Sequence, residues 1–138
     1  MKSDRSGHVQ YACLPWRTTD GRLEVMLITS RGTGRWVLPK GWPMIGATGV
    51  ESAVQEAVEE AGVRGQASAA IGRYPYDKVL KDGSVRRLEV EVYPLAVSDE
   101  LAEWKERAER TRRWFKPDEA AGLVAEPELA EIIAGFAP

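Results

Sequence analysis

Three glutamates, Glu56, Glu59 and Glu60, lie within five residues of one another near the end of a segment with a helical apolar pattern. Glu56 and Glu60 are four residues apart and share a helix face, and Glu59 is one turn from Glu56. Like charges at this spacing repel by about 0.2–0.5 kcal/mol per pair, and the helix dipole disfavours them at this end. A hard divalent cation such as Mg²⁺ would offset the repulsion and commonly bridges to substrate phosphates. The cluster indicates a metal site; the alternative is a solvated, glutamate-rich helix.

The helix that carries these glutamates is predicted to run from about Gly49 to Ala61. Thr48 and Glu51 have the spacing of a capping box, in which the threonine and glutamate side chains satisfy each other's exposed backbone donors. Gly62 stands where a left-handed C-terminal cap is usually found. An apolar stripe at helical spacing lies between these two signals and consists of Val50, Ala53, Val54, Ala57 and Ala61.

The remainder of the chain alternates strand-like and helix-like segments and predicts a mixed α/β fold. Residues 8–16 and 23–28 are rich in β-branched, aromatic and aliphatic side chains and flank Asp20-Gly21, a tight-turn signal. Residues 74–80 and 85–97 flank a second hairpin signal. Because the chain shows neither repeats nor a composition break, we expect residues 1–138 to form a single domain.

Composition excludes several functional classes. The chain has 19 Lys and Arg and 21 Asp and Glu, so a net charge of −2 gives no global attraction to nucleic acid or membrane surfaces. With one cysteine and one histidine, Cys13 and His8, neither an intramolecular disulfide nor a Cys/His zinc site can form. The polar N-terminal stretch and the lack of a long apolar run give no expectation of a signal peptide or membrane span. We therefore expect a cytoplasmic protein.

The spacing around the glutamates resembles the Nudix box at residues 41–63. Six signature positions match in one register: Gly41, Glu56, Glu59, Glu60, Gly62 and Val63, with Ala57 at an aliphatic position. The resemblance implies an α/β/α sandwich with a mixed central β-sheet. It also implies that Glu56 and Glu60 bind Mg²⁺ or Mn²⁺, and that Glu59 orients or deprotonates the water that attacks a diphosphate.

Two box positions depart from the family pattern. The first glutamate of the box falls on Ala47, and its arginine falls on Gln55. Position 55 lies one helical turn from Glu59, so an arginine there could orient this carboxylate and offset its charge, whereas glutamine can only donate a hydrogen bond. These departures leave two functions open: a metal-dependent hydrolase, with altered or reduced activity, and a Nudix-like module that binds a phosphorylated ligand without turnover.

Within the family, the chain resembles the diphosphoinositol polyphosphate phosphohydrolases, which also hydrolyse diadenosine polyphosphates. The resemblance rests on residues 28–31, 35–39 and 110–120 and covers roughly residues 8–124. It implies a small phosphorylated substrate that is either a nucleoside or an inositol diphosphate derivative. The residues implied as phosphate contacts are Thr29, Ser30, Arg31, Arg87 and Arg110, and Lys40 joins them because it directly precedes Gly41.

The late basic segment also has a structural interpretation. Glu103 with Arg107, Glu106 with Arg110, and Glu109 with Arg113 form Glu-before-Arg pairs at helical spacing, as in a solvated helix. A nucleic-acid-binding function is disfavoured by the negative net charge and the lack of a basic aromatic face. The oligomeric state cannot be read from the sequence, although the resemblance leaves a homodimer as an option.

Overall fold

The first two strands form the hairpin predicted around Asp20-Gly21 in the computed structural model, which describes residues 2–138. Strand β1 (Val9–Thr19) pairs antiparallel with β2 (Arg22–Thr29), and Thr19 faces Arg22. Asp20 and Gly21 have φ values of 52° and 75°. Positive φ at both central residues matches the twist of the flanking strands, which explains why Asp-Gly predicts this turn correctly.

A mixed sheet surrounds this hairpin. The further strands are β3 (Trp36–Val37), β4 (Lys40–Gly41), β5 (Val63–Ala67), β6 (Gly72–Val79), β7 (Val85–Glu100) and β8 (Arg112–Phe115). The strand order is β3-β2-β1-β7-β5, with β4 paired to β1, β6 to β7 and β8 to β2. β1 and β7 are parallel, and the other pairs are antiparallel. The mixed sheet therefore agrees with the prediction.

Helices cover both faces of the sheet. Helix α1 (Gly49–Glu56) continues as a π-helical turn (Ala57–Ala61) on one face, and α2 (Pro117–Leu123) and α3 (Pro127–Ala134) lie on the other. Successive strand residues alternate between two cores: Leu14 packs with the α2 and α3 layer, and Cys13 with the α1 layer. The predicted α/β/α sandwich is confirmed. None of the helices within residues 2–138 is long and apolar enough to cross a membrane.

The late segment is not the solvated helix that its Glu-before-Arg pairs would allow. Residues 101–111 form an irregular loop with a short 3₁₀ turn at Arg107–Glu109, and β8 follows. The Glu106–Arg110 ion pair forms nonetheless, at 2.9 Å. Glu109 lies 3.4 Å from Arg31 instead of pairing with Arg113, because Arg113 belongs to β8 and its guanidinium lies over Trp36. Sequence reasoning also missed β5 and α3.

Gly65 is predicted to be required for the pairing of β5 with β7. A Cβ built at this position overlaps the carbonyl oxygen of Ala96, next to a register shift between Arg64 and Gly65. We expect Gly65→Ala to lower the free energy of unfolding by about 1–3 kcal/mol, because backbone atoms must move to relieve the overlap. Urea denaturation measures this change in the free energy of unfolding. Gly122→Ala, whose Cβ meets no atom within 4 Å, is the matched control, and equal losses in both variants would contradict the prediction.

Candidate active site

The glutamate-bearing helix begins and ends as its sequence predicts. The Thr48 hydroxyl accepts a hydrogen bond from the Glu51 backbone N–H, and the Glu51 carboxylate accepts one from the Thr48 N–H. The C-terminal Gly62 is left-handed, with φ of 64°. The last turn is wider than an α-helix and carries both Glu59 and Glu60. Such π-helical turns occur frequently at functional sites.

Glu56 and Glu60 form a hydrogen-bonded carboxyl pair. Burial, with the adjacent Glu60, raises the pKa of Glu56 to about 9, and burial also raises the pKa of Glu60, which accepts a hydrogen bond from Glu56. Glu60 Oε1 also accepts a hydrogen bond from the Lys40 backbone N–H at 3.2 Å and lies 3.7 Å from Arg110 Nη2. The pair therefore retains a proton to a higher pH than a free glutamate does.

Two donors bind the Glu59 carboxylate, separately from this pair. Gln55 Nε2 donates to Glu59 Oε2 at 2.7 Å, and Lys105 Nζ lies 3.2 Å from Glu59 Oε1. Partial burial alone would raise the pKa of Glu59, but the two donors together bring it below its ordinary value. Among residues 2–138, no three His, Cys, Asp or Glu side chains are arranged as a ready metal cage. The three carboxylates, which the sequence predicts to converge, therefore line one cavity without forming such a cage.

That cavity, of about 760 Å³, contains all three box glutamates. Of the predicted phosphate contacts, four line it: Ser30, Arg31, Lys40 and Arg110. Ala47 lies outside the lining and closes a turn through its N–H to the Met44 carbonyl, at 3.0 Å. The fold therefore gathers most of the predicted site from strands and loops that are distant in sequence.

Thr29 and Arg87 lie outside this lining. The Thr29 hydroxyl oxygen accepts a hydrogen bond from the Thr111 N–H at 2.8 Å, and its carbonyl accepts one from Arg110. Arg87 is exposed on β7, 3.8 Å from Asp77, and lines a neighbouring cavity of about 750 Å³. The two cavities share Ser30, Arg31, Tyr76 and Lys78. The roles of Thr29 and Arg87 as phosphate contacts stay predictions.

Two basic side chains, Lys40 and Arg110, line the cavity together with the carboxyl pair. Burial lowers the pKa of Lys40, whose Nζ lies 4.0 Å from the centre of the Tyr76 ring. Arg110 is nearly buried, and it donates to Glu106 at 2.9 Å and to the Thr29 carbonyl at 3.0 Å. Positive charge therefore stands next to the acidic pair, as a phosphate-binding site requires.

The donor set fits a hard divalent cation. Glu56 and Glu60 offer adjacent oxygen ligands, and a cation bound by both would offset the repulsion between their carboxylates. Gly41 leaves room for this arrangement, because a Cβ there would lie 2.5 Å from Cδ of Glu56. This contact gives a physical reason for a glycine at the start of the box.

Sequence reasoning missed the loop that covers the end of the helix. We call residues 101–111 the capping loop. Its Glu106 N–H donates to the Glu59 carbonyl at 3.0 Å, its Leu101 N–H donates to the Gly62 carbonyl at 2.8 Å, and Trp104 packs against Gly62. The missed cavity residues Lys105 and Glu106 come from this loop. The pairings of Glu103 with Arg107 and of Glu106 with Arg110 are the signals that this loop left in the sequence.

We predict that the metal-free protein loses stability as the pH rises. The pKa of Glu56 increases on folding from its ordinary 4.5 to about 9, so the folded state binds more protons between these values. The free energy of unfolding should therefore decrease as the pH increases through this window. Chemical denaturation in EDTA at several pH values measures the slope. Glu56→Gln should flatten it, and an equal slope in the variant would contradict the assignment.

Comparison with known proteins shows the family to which this chain belongs. The NUDIX domain model matches residues 8–136, and the chain belongs to the Nudix family. It is 32% identical over 132 residues to Nudix hydrolase 21, chloroplastic, of Arabidopsis thaliana, covering 90% of this chain and 63% of that protein. It is 33% identical over 116 residues to human diphosphoinositol polyphosphate phosphohydrolase 3-beta, covering 82% and 66%.

A solved structure supports the same fold. A Caenorhabditis elegans Ap4A hydrolase, in a binary complex, superposes with a TM-score of 0.67 at 19% identity, over 94% of this chain and all of that one. These comparisons confirm the predicted family and the predicted resemblance of the chain to the diphosphoinositol polyphosphate phosphohydrolases. The chain spans under two thirds of the length of the plant relative.

Proposed function

We propose that this protein is a divalent-metal-dependent Nudix pyrophosphohydrolase that cleaves a diphosphate linkage in a nucleoside or inositol diphosphate derivative. The observation that carries the proposal is the Glu56–Glu60 pair against Gly41, in a cavity that also holds Glu59 and basic side chains. The names of two similar proteins, an Ap4A hydrolase and a diphosphoinositol polyphosphate phosphohydrolase, support this substrate range.

Glu56 and Glu60 would hold Mg²⁺ or Mn²⁺. When bound, the cation would neutralise charge on the reacting phosphoryl group and lower the pKa of a coordinated water. Arg110 lies beside Glu60, Lys40 lines the same cavity, and both side chains would contact phosphate oxygens. Arg31 and Ser30, which line the same cavity, would contact the remaining phosphates.

Glu59 is the general base in this proposal. Its two donors keep the carboxylate ionised and therefore able to accept a proton from water. The water oxygen forms a new bond to phosphorus, the bridging P–O bond breaks, and the leaving phosphate departs with the electron pair. The proton passes to a Glu59 oxygen and returns to solvent.

A second candidate function is a binding module without turnover. Ala47 removes one box carboxylate, and Gln55 removes the box arginine. We favour the hydrolase because the three helix glutamates are all present in one cavity. A cytoplasmic location and a homodimer remain predictions.

The test is turnover of a panel containing diadenosine polyphosphates, nucleoside diphosphate sugars and inositol pyrophosphates. We expect release of phosphate or mononucleotide from at least one of these, dependent on Mg²⁺ or Mn²⁺ and abolished by EDTA. Glu59→Gln serves as the active-site control. No turnover of any compound, together with thermal stabilisation by one of them, would support the binding module instead.

A further inference from the structure

Gln55 stands where the Nudix box has an arginine and makes only part of the contact that an arginine could make. Its amide holds one oxygen of Glu59, Oε2, at 2.7 Å. An arginine could also supply a positive charge, which glutamine lacks. The helix itself offers no cation to the other oxygen of Glu59, Oε1.

Lys105 supplies that missing charge from the capping loop. Its Nζ lies 3.2 Å from Glu59 Oε1, so the two oxygens of the carboxylate are held by different donors. Lys105 also lines the cavity that contains Glu56 and Glu60. The contact therefore lies inside the site, although the lysine side chain itself is 71% exposed.

The backbone around Lys105 is fixed to the helix whose glutamate it contacts. The adjacent Glu106 N–H donates to the carbonyl of Glu59 itself, at 3.0 Å. On its other side, Trp104 packs on Gly62 and lies beneath the Arg112 guanidinium, which donates to the Ala61 and Gly62 carbonyls at 3.1 and 3.0 Å. These contacts satisfy carbonyls that the end of a helix leaves free, and they fix where the Lys105 side chain starts.

We propose that Lys105 is a positioning residue that, together with Gln55, takes over the function of the missing box arginine by holding the Glu59 carboxylate in its working orientation. This inference rests on the proposed function. Lys105 acts through Glu59 and does not contact the substrate. Its removal should therefore reduce kcat and leave KM and the metal pair nearly unchanged.

The experiment compares Lys105→Ala, Lys105→Arg and the double variant Lys105→Ala with Gln55→Arg, using a substrate turned over by the wild type. Lys81→Ala, an exposed lysine outside both cavities, is the matched control. We expect Lys105→Ala to lower kcat about tenfold with KM within about twofold. Lys105→Arg should retain most activity. The double variant should regain activity relative to Lys105→Ala, because an arginine at position 55 restores the charge from the helix.

A measurement without substrate accompanies the kinetics. Calorimetry with Mn²⁺ alone should give the same affinity within about threefold for the wild type and Lys105→Ala, because Glu56 and Glu60 are unchanged. Tighter Mn²⁺ binding with increased activity in Lys105→Ala would overturn the proposal and show that the lysine blocks Glu59. A rise in KM at constant kcat would also overturn it and indicate a substrate contact.

The role of Lys105 and the proposed function are contradicted by different results. A wild type that turns over its substrate with metal dependence, while Lys105→Ala does so equally fast, overturns only the role of Lys105. A wild type that turns over no member of the panel overturns the proposed function and this positioning role together.

Discussion

Glu59→Gln is expected to lower kcat by about 10²–10⁴-fold, because the amide cannot accept the proton of the attacking water. The substitution is nearly isosteric. In the wild type, Oε1 and Oε2 accept from Lys105 and Gln55, so the variant also loses an ion pair to an exposed lysine, which solvent screens, and its stability should change little. KM should change little. Steady-state kinetics with saturating Mg²⁺ measures the effect.

The control for this prediction is Glu51→Gln on the same helix. Glutamine is accepted at this capping-box position, and Glu51 lies outside the cavity. Its activity should equal that of the wild type. If Glu59→Gln retained more than about a tenth of wild-type kcat, Glu59 would not be the general base, and another group in the cavity would have to take the proton.

Glu56→Gln is expected to weaken Mn²⁺ binding by at least about 100-fold, since the loss of outer-shell partners alone commonly costs about 10–100-fold. The metal-free fold should tolerate the change well. The raised pKa of Glu56 favours its protonated form, which donates to Glu60, and a glutamine amide can replace that donor. The variant should thus separate metal binding from folding. Calorimetry with Mn²⁺ and thermal unfolding in EDTA measure the two quantities.

Metal-dependent stabilisation provides a second measurement of the same prediction. The melting temperature of the wild type should rise with Mg²⁺, because only the folded state brings Glu56 and Glu60 together. Glu56→Gln should show little rise, and Glu51→Gln should respond like the wild type. Equal Mn²⁺ affinity in the wild type and Glu56→Gln would show that the cation binds elsewhere.

Local patterns were enough to predict the helix of the box and the two hairpins. The Thr48 and Glu51 side chains, the left-handed Gly62 and the Asp20-Gly21 turn all act over four residues or fewer, so their physical effects are visible in the sequence. The four-residue spacing that places Glu56 and Glu60 on one helix face is visible in the sequence for the same reason. A resemblance to the family box added the metal and the catalytic role.

The late segment shows where local patterns fail. Glu106 and Arg110 are four residues apart, and their ion pair forms at 2.9 Å, yet the backbone between them is not an α-helix. Spacing alone cannot separate the two conformations, because the long side chains reach each other in both. The loop conformation is selected instead by the free carbonyls of Glu59 and Gly62 and by the packing of Trp104.

The residue pattern alone is enough to identify the carboxylates, their helix and the family to which they belong. The contacts of each carboxylate arise only in the folded chain: Gly41 makes room for Glu56, Arg110 approaches Glu60, and Lys105 approaches Glu59 across 46 residues of chain. These contacts depend on strand pairing and on the burial of loops against a helix end. No local propensity encodes them, and they decide which oxygen is protonated, which is paired and which can accept a proton from water.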